Sequence, residues 1–359
     1  MRLQPLLLGW IALLLAVGLQ ATLPDTRLAA LPRVAALPED DEELVELGQW
    51  LFFDPVLSHN REVACATCHH PDHGWADGRS TPLGVGGVGL GPMRKLAAGS
   101  RFEPINRNSP SLLNSAFNGM DILGTYPAPR QPMFWDLRAD GYAQQAIGPL
   151  QAPAEMLGRQ CPPHQALPQL LERLRAIPDY REAMQGQVNM DQVTRALAAF
   201  QRSLIAVNSP FDRYLRGEKN AMNQRQIKGM QAFHRAGCSL CHNGPMLSDF
   251  KLHNIGLEPA LRTAPLRNLA LSAPYMHHGG EPSLESVMNF YDRLADRAAE
   301  TLDGGDENTM PALDPLMQRL DLLPEDHGLI IEFLGALNDP NPPRTRPSAV
   351  PSGLPVGGR

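Results

Sequence analysis

The sequence predicts a mainly α-helical fold, made of two tandem domains of like construction packed around a cleft between them. Three observations predict it. Apolar residues recur at helical spacing, as in Glu43-Leu44-Val45-Glu46-Leu47-Gly48-Gln49-Trp50-Leu51-Phe52. No stretch sustains the alternation of a half-buried strand. A local pattern is also written twice. Gly48-x-x-x-Phe52 and Gly229-x-x-x-Phe233 each lead through a short loop into Cys-x-x-Cys-His. The two copies are Cys65-Ala66-Thr67-Cys68-His69 and Cys238-Ser239-Leu240-Cys241-His242. Repetition at this distance points to duplication of one domain.

The elements follow in order. Residues 1–21 read as a secretory signal: Arg2, an apolar run from Leu6 to Leu19, then the small residue Ala21. The run is short for a comfortable membrane span, although an uncleaved anchor stays open. Residues 40–205 form the first predicted domain, starting with the helix before Cys65. A second helical pattern (Val193, Leu197, Phe200, Leu204) runs towards Asn208-Ser209-Pro210, a stop signal that marks the junction. Residues 206–338 form the second domain, with a helix over Gln226 to Phe233. Pro282-Ser283 starts another helix, which puts Leu284, Val287, Met288, Tyr291 and Leu294 on one face. Residues 339–359 are rich in Pro, Gly and Ser, and disorder is expected there.

Composition narrows the function classes. The 32 basic and 38 acidic residues give a mildly acidic chain, which argues against nucleic acid as a partner. With 34 prolines, 31 glycines and 6% aromatics, the body should be loop-rich, its cores filled partly by a cofactor. Four of five cysteines belong to the two motifs, and the fifth, Cys161, reads as an isolated thiol.

Cys-x-x-Cys-His is the attachment signature of a c-type haem: two thiols add to the vinyl groups and the adjacent His reaches the iron. The alternative is a zinc site assembled from both copies, since zinc needs four N or S ligands at one point. Two covalent haems are the expectation, held by Cys65, Cys68, Cys238 and Cys241, with His69 and His242 on the iron atoms. Haem attachment in bacteria occurs outside the cytoplasm, so motifs and export signal agree on the periplasm.

Further motifs carry a family resemblance. Leu51-Phe52-Phe53-Asp54-Pro55, Arg107-Asn108-Ser109-Pro110-Ser111-Leu112-Leu113-Asn114, Phe134-Trp135-Asp136 and Gln145-Ala146-Ile147-Gly148-Pro149-Leu150 stand in order. They are followed by Asn208-Ser209-Pro210-Phe211-Asp212-Arg213-Tyr214, His253-Asn254-Ile255-Gly256-Leu257, Leu266-Arg267-Asn268 and Pro274-Tyr275-Met276-His277. From Leu47 to about Leu337 the chain resembles the bacterial di-haem cytochrome c peroxidases. That family also contains MauG, a di-haem enzyme that oxidises tryptophans in a partner protein. The resemblance implies two cytochrome c-like haem domains, the first peroxidatic and the second for electron transfer.

The resemblance also implies residue roles. Trp135 matches a tryptophan between the haems, proposed as an electron relay. Gln145 and Glu155 match residues on the distal side of the first haem. Asn108, Ser272 and Pro274 match the ligands of a calcium ion between the domains. The sixth ligand of the second haem falls near Tyr291, where peroxidases use Met and MauG uses Tyr; Met288 and Met276 remain alternatives. A carboxylate desolvated beside haem suits proton transfer, so Glu155 is the candidate base and Gln145 the peroxide-holding group. In an unrelated chain the same Glu would be a surface residue and the same Gln a polar helix position.

Two features lean towards MauG. Between Pro71 and Asn108 the one histidine, His73, lies too close to His69 to serve on the distal side, so the first haem should be open without activation. A phenolate from Tyr291 would favour ferric and higher states, whereas Met raises the potential. There are departures as well: Leu137 stands where relatives often have Gly, and the segment from His242 to Arg267 is shorter than usual.

The leading expectation is a periplasmic peroxidase, reducing hydrogen peroxide at the first haem with electrons relayed through the second. The donor would be a small redox protein, a cytochrome c or a cupredoxin, and a homodimer is compatible. The alternative is a MauG-like oxidase of aromatic side chains in a protein substrate. A non-catalytic di-haem electron carrier is the third reading, and Gln145 with Glu155 argues against it.

Overall fold

A computed structural model describes residues 28–32, 40–125, 131–257, 260–302 and 313–359; the signal segment lies outside them. Ten α-helices and three two-residue antiparallel strand pairs are found among these residues, so the fold is mainly helical. None of the helices described is long and apolar enough to cross a membrane.

The first half is built on α1 (Glu42–Phe53) crossing α6 (Met190–Arg202). Between them in sequence come α2 (Cys65–Cys68), α3 (Tyr142–Gln151), α4 (Pro163–Arg175) and α5 (Pro178–Ala183). Asp41 caps α1 through Glu43 N–H, and Asn189 caps α6 through Gln192 N–H. The crossing is close because Gly48 has no side chain: a Cβ there would fall 1.9 Å from the carbonyl oxygen of Ala196. Phe52 then meets Phe200, with ring centroids 5.1 Å apart, and Trp75 packs edge-on at 5.8 Å.

The second half repeats the device. After α7 (Pro210–Leu215), helix α8 (Gln224–Arg235) crosses α10 (His327–Gly335). Asn223 and Gln226 form a reciprocal capping box at the start of α8. A Cβ on Gly229 would lie 1.9 Å from the carbonyl oxygen of Leu329, and Phe233 packs on Phe333 at 5.3 Å. The duplicated Gly-x-x-x-Phe step is thus the point where each helix pair touches. The helix expected after Pro282 is α9 (Leu284–Leu302), whose first turn is tied by Ser283 Oγ accepting from Ser286 N–H at 3.2 Å.

Each half has its own buried cluster. Leu47, Leu51, Phe52, Val193, Leu197 and Phe200 belong to one, and Phe211, Phe233, Met288, Ile330 and Phe333 to the other. The stretch joining α6 to α7 is clamped by Asn114, whose amide donates to Ala206 O at 2.8 Å while its oxygen accepts from Ala206 N–H at 2.7 Å.

The small pairs shape loops. Strands β1 (Gly87–Val88) and β2 (Lys95–Leu96) form one, and β3 (Pro132–Met133) and β4 (Ala139–Asp140) another. Strands β5 (Leu252–His253) and β6 (Leu261–Arg262) form the third.

The expectation of a disordered tail over 339–359 is corrected. This segment returns to the first half and packs there. Val350 is buried in the first cluster, with Leu354 and Val356 against it. Trp75 Nε1 donates to Pro343 O at 2.8 Å, Gly357 N–H to Phe53 O at 2.7 Å, and Ser352 Oγ to the buried Asp54 at 2.6 Å. A Pro-rich chain loses little backbone entropy on ordering, so a few apolar side chains and hydrogen bonds hold it.

Candidate haem sites and the cavity between them

Both Cys-x-x-Cys-His motifs are single helical turns closed by the same bond. His69 N–H donates to Cys65 O at 3.0 Å, and His242 N–H to Cys238 O at 2.9 Å. Within the first turn Thr67 is buried, accepting from Ala64 N–H at 2.9 Å and donating to Gly357 O at 2.7 Å. The second is steadied by Ser239, whose hydroxyl bonds His234 Nδ1 at 2.8 Å.

The two imidazoles are prepared alike. His69 Nδ1 lies 3.0 Å from Trp75 O, and His242 Nδ1 lies 3.1 Å from Leu247 O. A carbonyl can only accept, so Nδ1 carries the proton and Nε2 keeps its lone pair for a metal. Burial holds both rings below the usual histidine range, which keeps them neutral. The four motif cysteines form no disulfide. Burial pushes the Cys65 and Cys238 thiols up to about 12, and Cys68 higher, so a thiolate is disfavoured in all three. Uncharged thioethers suit such surroundings, and these residues fit covalent haem. The two motifs are not brought to one point. Among the described residues, the one grouping of three or more potential ligand atoms is Cys241, Asp249 and His253, which draws on the second motif alone. A shared zinc site is not formed.

One continuous cavity runs from Cys68 and His69 to Cys238, Cys241 and His242. Of the residues expected to form the site, Gln145, Glu155, Trp135, Asn108, Ser272, Pro274 and Tyr291 all line it, as do Met288 and Met276. Cys65 does not; it packs against the first cluster. His73 is also outside the lining, its ring beside Gly78 and Gly91. Cys161 is buried with Leu157 and Ala166, and has no thiol partner.

Glu155 sits on a π-helical turn, Pro153–Leu157, next to α3, which carries Gln145. Such turns widen the backbone locally and often occur at working sites. The loop before β1 is tied to this turn, because Val85 N–H donates to Glu155 O at 3.1 Å. Burial lifts the Glu155 carboxyl above the usual carboxylate range, with the positive charge of Arg138 partly opposing. Arg138 is itself stacked over the Phe134 ring at 3.6 Å and paired with Asp136. Trp135, between them in sequence, donates from Nε1 to Asn108 O at 3.0 Å and accepts at its own carbonyl from Arg262 N–H at 2.8 Å.

Two groups were missed by sequence reasoning. His253 is clamped between Asp314, 2.6 Å from Nδ1, and Asp249, 3.0 Å from Nε2. The hydrogen bond to Asp249 leads the effects that raise its imidazole to about 11, with burial opposing. His253 stood inside a quoted motif, but its carboxylate partners lie outside that motif. Arg262 also lines the cavity and falls in the shortened segment before Arg267, where no motif flagged it.

Comparison with known proteins agrees with this geometry. The family described as di-haem cytochrome c peroxidase matches residues 42–220. Methylamine utilization protein MauG of Methylorubrum extorquens is 32% identical over 321 residues, covering 82% of this chain and 78% of that protein. Cytochrome c551 peroxidase of Pseudomonas aeruginosa is 34% identical over 271 residues, covering 66% of this chain and 68% of that one. Among solved structures, a MauG-like protein associated with microbial copper homeostasis aligns with a TM-score of 0.65 at 24% identity, over 89% of this chain and 95% of that chain. The diheme peroxidase BthA from Burkholderia thailandensis aligns with a TM-score of 0.62 at 22% identity, over 91% and 94%. Both structural likenesses speak to the fold. With the sequence relatives they give one answer: the chain belongs to the family of di-haem cytochrome c peroxidases and MauG, whose cofactors are c-type haems.

Proposed function

We propose that this protein is a periplasmic di-haem peroxidase that reduces hydrogen peroxide in the first half of the chain, with electrons delivered through the second. The two haems, held by Cys65, Cys68 and His69 and by Cys238, Cys241 and His242, supply the redox-active irons. The chain's own residues do the rest. Glu155, buried on the cavity wall with a raised pKa, takes a proton from bound peroxide and returns it to the departing oxygen. Gln145, on the adjoining helix, holds peroxide by hydrogen bonding. Trp135 lies on the cavity wall with its indole fixed to Asn108, which suits a relay between the halves. The observation that carries the reading is the buried carboxylate sharing one cavity with His69. An electron carrier needs no such base.

Three further assignments support the same site. Asn108, Ser272 and Pro274 are the calcium ligands in this reading. The Asn108 amide nitrogen donates to Arg79 O at 2.7 Å, while its side-chain oxygen accepts from no donor among the described residues. A hard cation takes such oxygens. Tyr291 would be the further residue holding the iron of the second haem: it lines the cavity beside the Cys238 and Cys241 sulfurs. Export through the 1–21 signal accounts for the periplasmic location.

A MauG-like oxidation of a protein substrate is the second reading, favoured by Tyr291 and by the loop around β1 and β2. That loop is pinned by Arg94, which donates to Leu83 O, Gly84 O and Gly89 O at 2.6 to 2.7 Å, and it offers no ligand to the first haem. Steady-state turnover of peroxide with a reduced c-type cytochrome tests the choice. Rapid donor oxidation identifies a peroxidase. Consumption of peroxide without donor oxidation points to a protein substrate.

A further inference from the structure

Four arginines line the cavity, and three have identifiable stations. Arg138 is paired with Asp136, Arg267 with the buried Asp212, and Arg107 is partly solvated. Arg262 is different. It is 7% exposed, its Nη1 donates to Pro132 O at 3.0 Å, and its Nε is buried without an acceptor. No carboxylate among the described residues pairs with it, and burial alone pulls it down to about 10. The Phe250 ring, 5.8 Å from the guanidinium carbon, is its one charge contact among the described residues, and without a counter-ion that offsets little of the desolvation. Arg267, equally buried, shows how this chain normally solves the problem: Asp212 lies 2.9 Å away and the Pro245 carbonyl takes two more bonds.

The cavity walls hold no spare anion. Glu155 is the one acidic residue in the lining among the described residues, and the charge acting on it is that of Arg138. Arg138 and Arg267 already have carboxylate partners, so Arg262 is the buried cation of the wall that is left for an occupant bringing negative charge. Haem brings two carboxylates, and a guanidinium matches a carboxylate in shape and charge. The position of Arg262 indicates which haem. Strand β6 ends at Arg262 and continues into Thr263 and Ala264, and the Ala264 backbone reaches the His242 ring. The other side of Arg262 is bonded to Trp135 O.

We propose that Arg262 binds a carboxylate of the haem attached at Cys238 and Cys241 and thereby raises that haem's reduction potential. The assignment rests on the chain carrying two covalent haems. The paired cation offsets the carboxylate's negative charge near the iron. Without it, that charge favours the ferric state and lowers the potential.

The test is a spectroelectrochemical titration of Arg262→Gln and Arg262→Lys against the parent protein, after mass spectrometry has counted the haems on each. Arg262→Gln should lower the potential of the second haem and make it pH-dependent near neutrality, because the freed carboxylate can take a proton on reduction. Arg262→Lys should restore most of the potential, and the first haem should be unmoved in both. Two haems present with an unchanged second potential, or with an equal shift in both haems, overturns the Arg262 assignment alone. A parent protein without haem overturns the cofactor reading beneath it. If Arg262→Gln does not accumulate, redox-difference infrared spectra of the parent with 13C-carboxylate haem decide the question. A labelled carboxylate that stays ionised through neutral pH supports the pair, and one that titrates there refutes it.

Discussion

The indole nitrogen of Trp135 donates to the main-chain oxygen of Asn108 at 3.0 Å. The proposed electron relay is therefore anchored to a proposed calcium ligand, on a segment that also accepts nothing at the Asn108 side-chain oxygen. Under these two proposals, metal binding and electron transfer would share one short piece of backbone.

Calcium removal tests that link. Treating the protein with a chelator should slow electron exchange between the haems while leaving both attached, since the proposed calcium would act on Asn108 and through it on Trp135. Elemental analysis of active protein should find about one calcium per chain. Active protein with no calcium ends the assignment of Asn108, Ser272 and Pro274.

Glu155→Gln should slow the reaction with peroxide by ~10²–10⁴-fold, the usual contribution of a positioned general base. The haem spectra should change little. A pH profile adds a sign. The base works deprotonated, and burial raises its pKa, so the rate should fall on acidification at a higher pH than an ordinary carboxylate would give. In Glu155→Gln that acid limb should vanish. A full-rate variant would show that the proton goes elsewhere.

Tyr291 decides the character of the second haem. The as-purified protein should give one high-spin and one low-spin ferric signal by EPR. Burial keeps the Tyr291 phenol protonated, so only a metal at its oxygen would strip the proton. Tyr291→Phe should convert the low-spin signal to high-spin. An unchanged low-spin signal transfers the role to Met288 or Met276.

Val350→Ala should lower stability by about 1.5 kcal/mol, the value of two buried methyl groups. Deletion of residues 343–359 should lower it further, since Val350, Ser352 and the Pro343 contact to Trp75 go together. Urea unfolding of the haem-loaded protein gives the comparison. An unmoved midpoint for the deletion would mean that the segment does not contribute to the first core.

Much of the architecture could be read from local pattern. Gly48 and Gly229 each sit four residues before a phenylalanine, and that spacing alone forecasts one face of one helix. Motif order put Gln145, Glu155 and Trp135 on a common list, and the fold puts them on a common cavity. What stayed hidden depended on distance along the chain. Composition made the tail look disordered, because nothing near Ser352 announces Asp54, 298 residues earlier. Arg262 looks like any surface arginine until its surroundings are known. The clamp on His253 needs Asp314, 61 residues on.

The returning tail also sets an order of assembly. Thr67, inside the first haem-attachment turn, donates to Gly357, 290 residues later. Ribosomes deliver Cys65 and Cys68 long before Gly357, so the first attachment turn stands open while the second half is still being made. Only a chain made through Gly357 can close that latch, and one that stops short of it keeps the turn exposed to proteases.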